Sequence, residues 1–154
     1  VTLCWSTELK LISGRMATMI KKEHKGACMC GAVKFAFSGP PLFVKECVCD
    51  SCRRAHGASA VCWVGAGDSE FCIEAGEGSL QWYQSSAVSQ RGFCSSCGTR
   101  LFFRSNQWPG ETHMAVACLE TPHELVATGA SFAEELPAWS AMVVSEKVSI
   151  AWEK

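Results

Sequence analysis

A chain of 154 residues, 48% of them hydrophobic, is large enough for one compact domain with a real core and leaves little room for a second. The formal net charge of -1 argues against nucleic acid or an anionic membrane as the main partner, because both select a basic surface. Eleven cysteines would suit a disulfide framework in an oxidising compartment. However, residues 1–15 are interrupted by Ser6, Glu8, Lys10 and Ser13 and form no continuous secretion signal. No later run approaches the roughly 20 apolar residues that cross a bilayer. A cytoplasmic, reducing environment is therefore expected, and in it clustered cysteines read as metal ligands.

Met16 reads as a natural start, with residues 1–15 as an expression remnant or uncleaved leader and 16–154 as a single domain. From Val33 the run Val-Lys-Phe-Ala-Phe alternates in the period-two pattern of a half-buried strand, stopped by Ser38-Gly39-Pro40-Pro41. Leu42 to Glu46 reads as the next strand, and Arg53 to His56 as a single helical turn after Cys52. Further strands are expected at Ala60 to Val64, Phe71 to Glu74, Leu80 to Gln84, Leu101 to Arg104 and His113 to Leu119, with Gly- or Pro-bearing turns between them. Thr121-Pro122-His123-Glu124 has the form of a capping box, with threonine as N-cap and proline at the first helical position. Many short strands with one or two helical turns predict a mainly β fold.

Seven cysteines fall into three tight groups: Cys28-Met29-Cys30-Gly31, Cys47-Val48-Cys49-Asp50-Ser51-Cys52 and Cys94-Ser95-Ser96-Cys97-Gly98. One or two intervening residues let both sulfurs of a pair face one cation at about 2.3 Å. A glycine directly after the pair permits the tight turn. Binding takes the thiolate form, so metal binding becomes folding free energy. Seven ligands divide most economically as four plus three. Spacing alone leaves the pairing open, since Cys49/Cys52 with Cys94/Cys97 would make an ordinary zinc ribbon. The single Cys62, Cys72 and Cys118 read as small core residues, and Cys4, His24, His113 and His123 support no assignment.

Several of these runs together resemble a known family. They are Gly26-Ala-Cys28-Met-Cys30-Gly31-Ala-Val33, Cys47-x-Cys49-x-x-Cys52-Arg53-Arg54, Gly57, Trp63, Tyr83-x-Ser85-Ser86, and Arg91-Gly-Phe93-Cys94-x-x-Cys97-Gly98-Thr99-x-Leu101. The resemblance is to the glutathione-dependent formaldehyde-activating enzymes, a family that includes centromere protein V, and it covers about residues 26–119. It implies an Mss-four-like fold of sheets stapled by zinc. It also implies two zinc ions per chain, one structural on Cys28, Cys30, Cys94 and Cys97 and one catalytic on Cys47, Cys49 and Cys52. The sequence departs from many members at Val48 and at Ala130-Ser131-Phe132, where they carry histidine.

A zinc held by three thiolates polarises water weakly and suits a soft fourth ligand such as a substrate thiol. This agrees with the chemistry the resemblance implies, a carbon-sulfur lyase or thiol-adduct synthase acting on S-hydroxymethylglutathione or a related glutathione-aldehyde adduct. Arg53, Arg54 and Arg91 are candidates for the glutathione carboxylates, and His56 is the candidate proton carrier. The expected partners are a small thiol, glutathione first, and an aldehyde. The alternative is a non-catalytic, zinc-stabilised protein-interaction module, which needs neither an open ligand position nor these arginines.

Overall fold

A computed structural model describes residues 9–12, 15–18 and 21–141, the first two stretches as backbone. The chain is mainly β. Strands β1 (Leu9–Ile12) and β2 (Arg15–Thr18) pair antiparallel, and most of the leader expected over residues 1–15 lies outside the described residues. Strands β3 (Glu23–Ala27), β4 (Lys34–Ser38) and β7 (Phe71–Ala75) form a three-stranded sheet in the order β3-β4-β7. The larger sheet takes β5 (Phe43–Cys47), β6 (Val61–Gly67), β8 (Leu80–Gln84), β9 (Ser89–Cys94), β10 (Arg100–Ser105), β11 (Glu111–Ala115) and β12 (Ala130–Ser131). Its order is β12-β5-β6-β11-β10-β9-β8. The helix α1 (Asp50–His56) connects β5 to β6.

Register gives the large sheet two different faces, because neighbouring residues of a strand point to opposite sides. Val44, Val64, Met114 and Phe102 lie opposite one another across four strands, and all are buried in the core. Phe102 receives Phe35 and Phe71 of the small sheet edge-on at 5.0 and 5.3 Å, so aromatic packing joins the two sheets. One residue along, Phe43, Gly65, His113, Phe103 and Arg91 form the next row, on the opposite face. Gly65 keeps that row open to its neighbour: a Cβ there would lie 2.3 Å from the Phe43 ring.

Strands β4 to β8 and β10 lie within a residue or three of the expected ones. The helix begins at Asp50, capped by the Cys49 sulfur, and so contains Cys52 instead of following it. The expected strand from His113 to Leu119 stops at Ala115, where the apolar run turns into a 3-10 turn, Val116–Cys118. The capping box does not form. Pro122–Glu124 is a single 3-10 turn in which the Thr121 hydroxyl bonds the Glu124 carboxylate at 3.2 Å and caps no backbone group. Strands β3 and β9 lack an apolar alternation. Their buried positions include His24, Gly26, Arg91 and Gly92.

Candidate metal centres

The first cluster joins the two sheets. Cys28 directly follows β3 and Cys94 closes β9, each opening a tight turn that returns the second sulfur, Cys30 or Cys97. Gly31 and Gly98 adopt φ of 74° and 76°, a left-handed conformation that a side chain would resist. Their amides close the turns onto the carbonyls of Cys28 and Cys94 at 2.9 and 2.8 Å. All four sulfurs lie within 4.8 Å of one another. Four sulfurs about 2.3 Å from one tetrahedral ion would stand about 3.8 Å apart. The Cys28–Cys30 and Cys30–Cys94 separations of 3.5 and 3.9 Å fit such an ion.

Neutral donors support these sulfurs. The Val33 amide donates to Cys28 Sγ at 3.3 Å. Thr99 Oγ1 accepts from the Met29 amide at 3.1 Å and stands 3.1 Å from Cys97 Sγ, leaving its hydroxyl proton for that sulfur. Hydrogen bonding from Thr99 brings the Cys97 thiol down to about 5, which prepares it as a thiolate ligand.

The second cluster is Cys47, Cys49 and Cys52, placed by the end of β5 and the first turn of α1. Its sulfurs also lie within 4.8 Å, with Cys47 and Cys49 3.4 Å apart. Among the described residues, no fourth Cys, His, Asp or Glu joins the three. The Cys52 amide donates to Cys49 Sγ at 3.4 Å, so the helix cap itself holds a prospective ligand. A charged donor completes the group: Arg91, 6% exposed, sets its two terminal nitrogens 3.7 and 3.6 Å from Cys52 Sγ. The Nη2 atom also donates to Ser51 Oγ at 2.9 Å. Hydrogen bonds from Cys47 and Cys49, and then the Arg91 guanidinium, hold the Cys52 thiol far below the usual range. Shared hydrogen bonds with Cys49 and Cys52, together with burial, push Cys47 up.

These three cysteines open on a cavity of about 190 Å³, bounded by Phe43, Trp63, Phe103, Trp108 and His113, with Arg91 and Lys45 as its cationic lining. Of the sequence candidates, Arg91 lies in the site. Arg53 and Arg54 pair with Asp50 at 3.7 and 3.8 Å and do not line the cavity. His56 is also outside it, edge-on to the Trp63 ring at 5.2 Å and facing a second concavity beside Cys97 and Arg100. Burial, with Arg91 and Arg100 nearby, lowers its pKa to about 4, so it is neutral at pH 7. His113 was not singled out from sequence but does line the cavity, with Nε2 3.1 Å from Glu111 Oε2. Burial lowers its pKa, and Glu111 opposes the shift. Its signal was the strand itself: a histidine between Thr112 and Met114 must point opposite to both.

The other single cysteines divide. Cys62 and Cys118 are half-buried against the core, as expected, and burial raises each thiol to about 11. Cys72, read like them as a small core residue, is instead disulfide-bonded.

The sequence profile of the glutathione-dependent formaldehyde-activating enzymes matches residues 23–135. A Halomonas elongata protein named for the same enzyme is similar, with 27% identity over 103 residues, 63% of this chain and 66% of that protein. The chain thus spans just under two thirds of that relative's length. The crystal structure of a Rhodobacter sphaeroides protein matches at a TM-score of 0.54 and 30% identity, covering 62% of this chain and 87% of the other.

Proposed function

This chain belongs to the glutathione-dependent formaldehyde-activating enzyme family, and on that premise we propose that it is a zinc-dependent carbon-sulfur lyase or thiol-adduct synthase for S-hydroxymethylglutathione or a related glutathione-aldehyde adduct. The observation that carries the reading is the three-thiol cluster at a cavity, joined by no fourth ligand among the described residues. Cys28, Cys30, Cys94 and Cys97 would hold a structural zinc, and Cys47, Cys49 and Cys52 a catalytic one. When bound there, zinc supplies a Lewis-acidic position that keeps a soft substrate sulfur as thiolate.

The chain's own residues supply the rest. Three thiolates bring three negative charges to a largely buried place, and the Arg91 guanidinium offsets one of them through Cys52. This reassigns Arg91. With both terminal nitrogens directed at Cys52 and Ser51, it positions a ligand sulfur instead of gripping a glutathione carboxylate. Trp63, 6% exposed, and the half-buried Phe103 exclude water from the sulfur end of the cavity, which favours attack by sulfur over hydrolysis.

In the synthetic direction the glutathione S–H bond breaks and a bond forms from sulfur to the aldehyde carbon. The carbonyl oxygen takes up a proton to become a hydroxyl, and the reverse reaction returns the thiol and the aldehyde. The His113 imidazole, neutral at pH 7 and oriented by Glu111, is the group we assign to hold the proton between these steps. It takes the part first given to His56, which faces away from the cavity.

Cobalt in place of zinc makes thiolate ligation visible as a charge-transfer absorption band. Glutathione should raise that band in the wild type and leave it unchanged in Cys52→Ala. No change at millimolar glutathione, together with no effect on S-hydroxymethylglutathione formation or breakdown, would overturn the enzyme reading in favour of the interaction module.

A further inference from the structure

We infer that the aldehyde handled at this site carries an aromatic group, so that the adduct is that of a thiol with an aryl aldehyde; the inference rests on the thiol-adduct reading above. The cavity of about 190 Å³ is far larger than the roughly 10–15 Å³ that holds one water, and formaldehyde has only two heavy atoms to fill it.

Its walls specify what fits. Phe43, His113 and Phe103 lie in one register row across the sheet, with Gly65 as the gap between the first two. The Phe43 ring reaches His113 edge-on at 4.8 Å across that gap, and His113 lies 5.6 Å from Phe103. Trp108 extends the row at 6.2 Å from Phe103, and Trp63 joins it to the thiols at 6.2 Å on the other side. Cys47, Cys52, Trp63 and Phe103 pack in one cluster. A sulfur held at the cysteines therefore carries its new carbon substituent against a continuous set of ring faces and edges, the surroundings in which an aryl ring packs best.

The body of glutathione is a poor occupant of the same space. It has two carboxylates and an ammonium, which need polar partners when desolvated. Of the two cations in the lining, Arg91 is directed at Cys52. Besides Glu46, Ser51 and Ser131, which adjoin the cysteines, the polar lining is at Lys45, Ser85, Ser86, Ser89 and Gln107, and the exposure of Ser86 and Gln107 marks that side as the mouth. The peptide would lie there, with the aryl group inside. The bond changes are those already given, with a benzylic carbon in place of the formaldehyde carbon.

The test uses the full cobalt-loaded chain. Glutathione is added first, and the rise of the thiolate band reports the thiol-adduct reading by itself. Benzaldehyde or acetaldehyde is then titrated in, and the band falls as the sulfur becomes a hemithioacetal. Each midpoint is divided by the dissociation constant of the same adduct in free solution. Benzaldehyde should then act at roughly tenfold lower concentration than acetaldehyde, the scale of one or two aromatic contacts. Phe103→Ala should bring the two within about twofold, and Trp108→Ala, at a half-exposed turn position, should narrow the gap without touching the core. Equal corrected midpoints in the wild type, with the glutathione band intact, would overturn this inference and leave the enzyme reading standing. Absence of the glutathione band would overturn both.

Discussion

The two cysteine clusters are built from similar short spacings and yet are surrounded differently. The four-thiol group has one exposed ligand, Cys30, and its sulfurs are met by backbone amides and the Thr99 hydroxyl. The three-thiol group, like the other, has two buried ligands, but it has no exposed one and adds a cavity and a buried guanidinium on Cys52. With zinc, four thiolates would complete a tetrahedron and join β3 to β9, whereas three would leave a position for a substrate. On the proposed reading, ligand number separates holding the sheets together from handling a sulfur.

The largest effect should come from the closed cluster. Cys97→Ala would remove a ligand from the proposed structural zinc, and such an ion contributes about 10–16 kcal/mol of apparent binding energy in small domains, which is comparable to the whole stability of a domain, about 5–15 kcal/mol. Thermal melts should show this variant unfolded or nearly so, while Cys52→Ala melts close to the wild type. The reverse order would exchange the two roles.

Metal content sharpens the same contrast. Native mass spectrometry should count two zinc ions per chain. A chelator titration should remove one first, and Cys52→Ala should retain only the one resistant ion. Two ions lost together would mean that the clusters are equally closed.

Arg91 comes next. Arg91→Met should lower zinc affinity at the three-thiol site about 10- to 100-fold, the usual cost of losing a hydrogen-bonding partner of a metal ligand. Arg91→Lys should recover only part of it, because one ammonium cannot reach both Cys52 and Ser51 as the fork does. Competition with a chromophoric chelator measures this, and an unchanged affinity in Arg91→Met would remove the positioning role.

The smallest effect concerns His56, between the two sites on α1. Its pKa is about 4 when folded against an ordinary 6.5. The unfolded chain therefore binds the extra proton first as pH falls, and stability should decrease from pH 6.5 down to about 4. His56→Gln should flatten that part of the stability profile relative to the wild type. Identical slopes for the two proteins would show that His56 contributes nothing there.

What the sequence by itself determined was local. The seven clustered cysteines, the glycines after Cys30 and Cys97, the alternation in β4 and the short turn-bounded runs of β6 and β7 are all readable, because a turn or a pleat needs only neighbours. What the tertiary structure decided is the function of side chains that meet across strands. Arg91 sits 39 residues from Cys52, and His113 lies far from both in the chain. Strand β9 went unread because its buried positions include, on opposite faces, an arginine and a glycine, favoured there by a buried thiol cluster and by the Phe102 ring, neither of which appears in a local pattern. His56 and the neighbouring arginines looked functional because they follow Cys52 in sequence. The helix turns His56 to the other concavity and leaves Arg53 and Arg54 on Asp50, since successive helical residues point about 100° apart and only some can face the cavity.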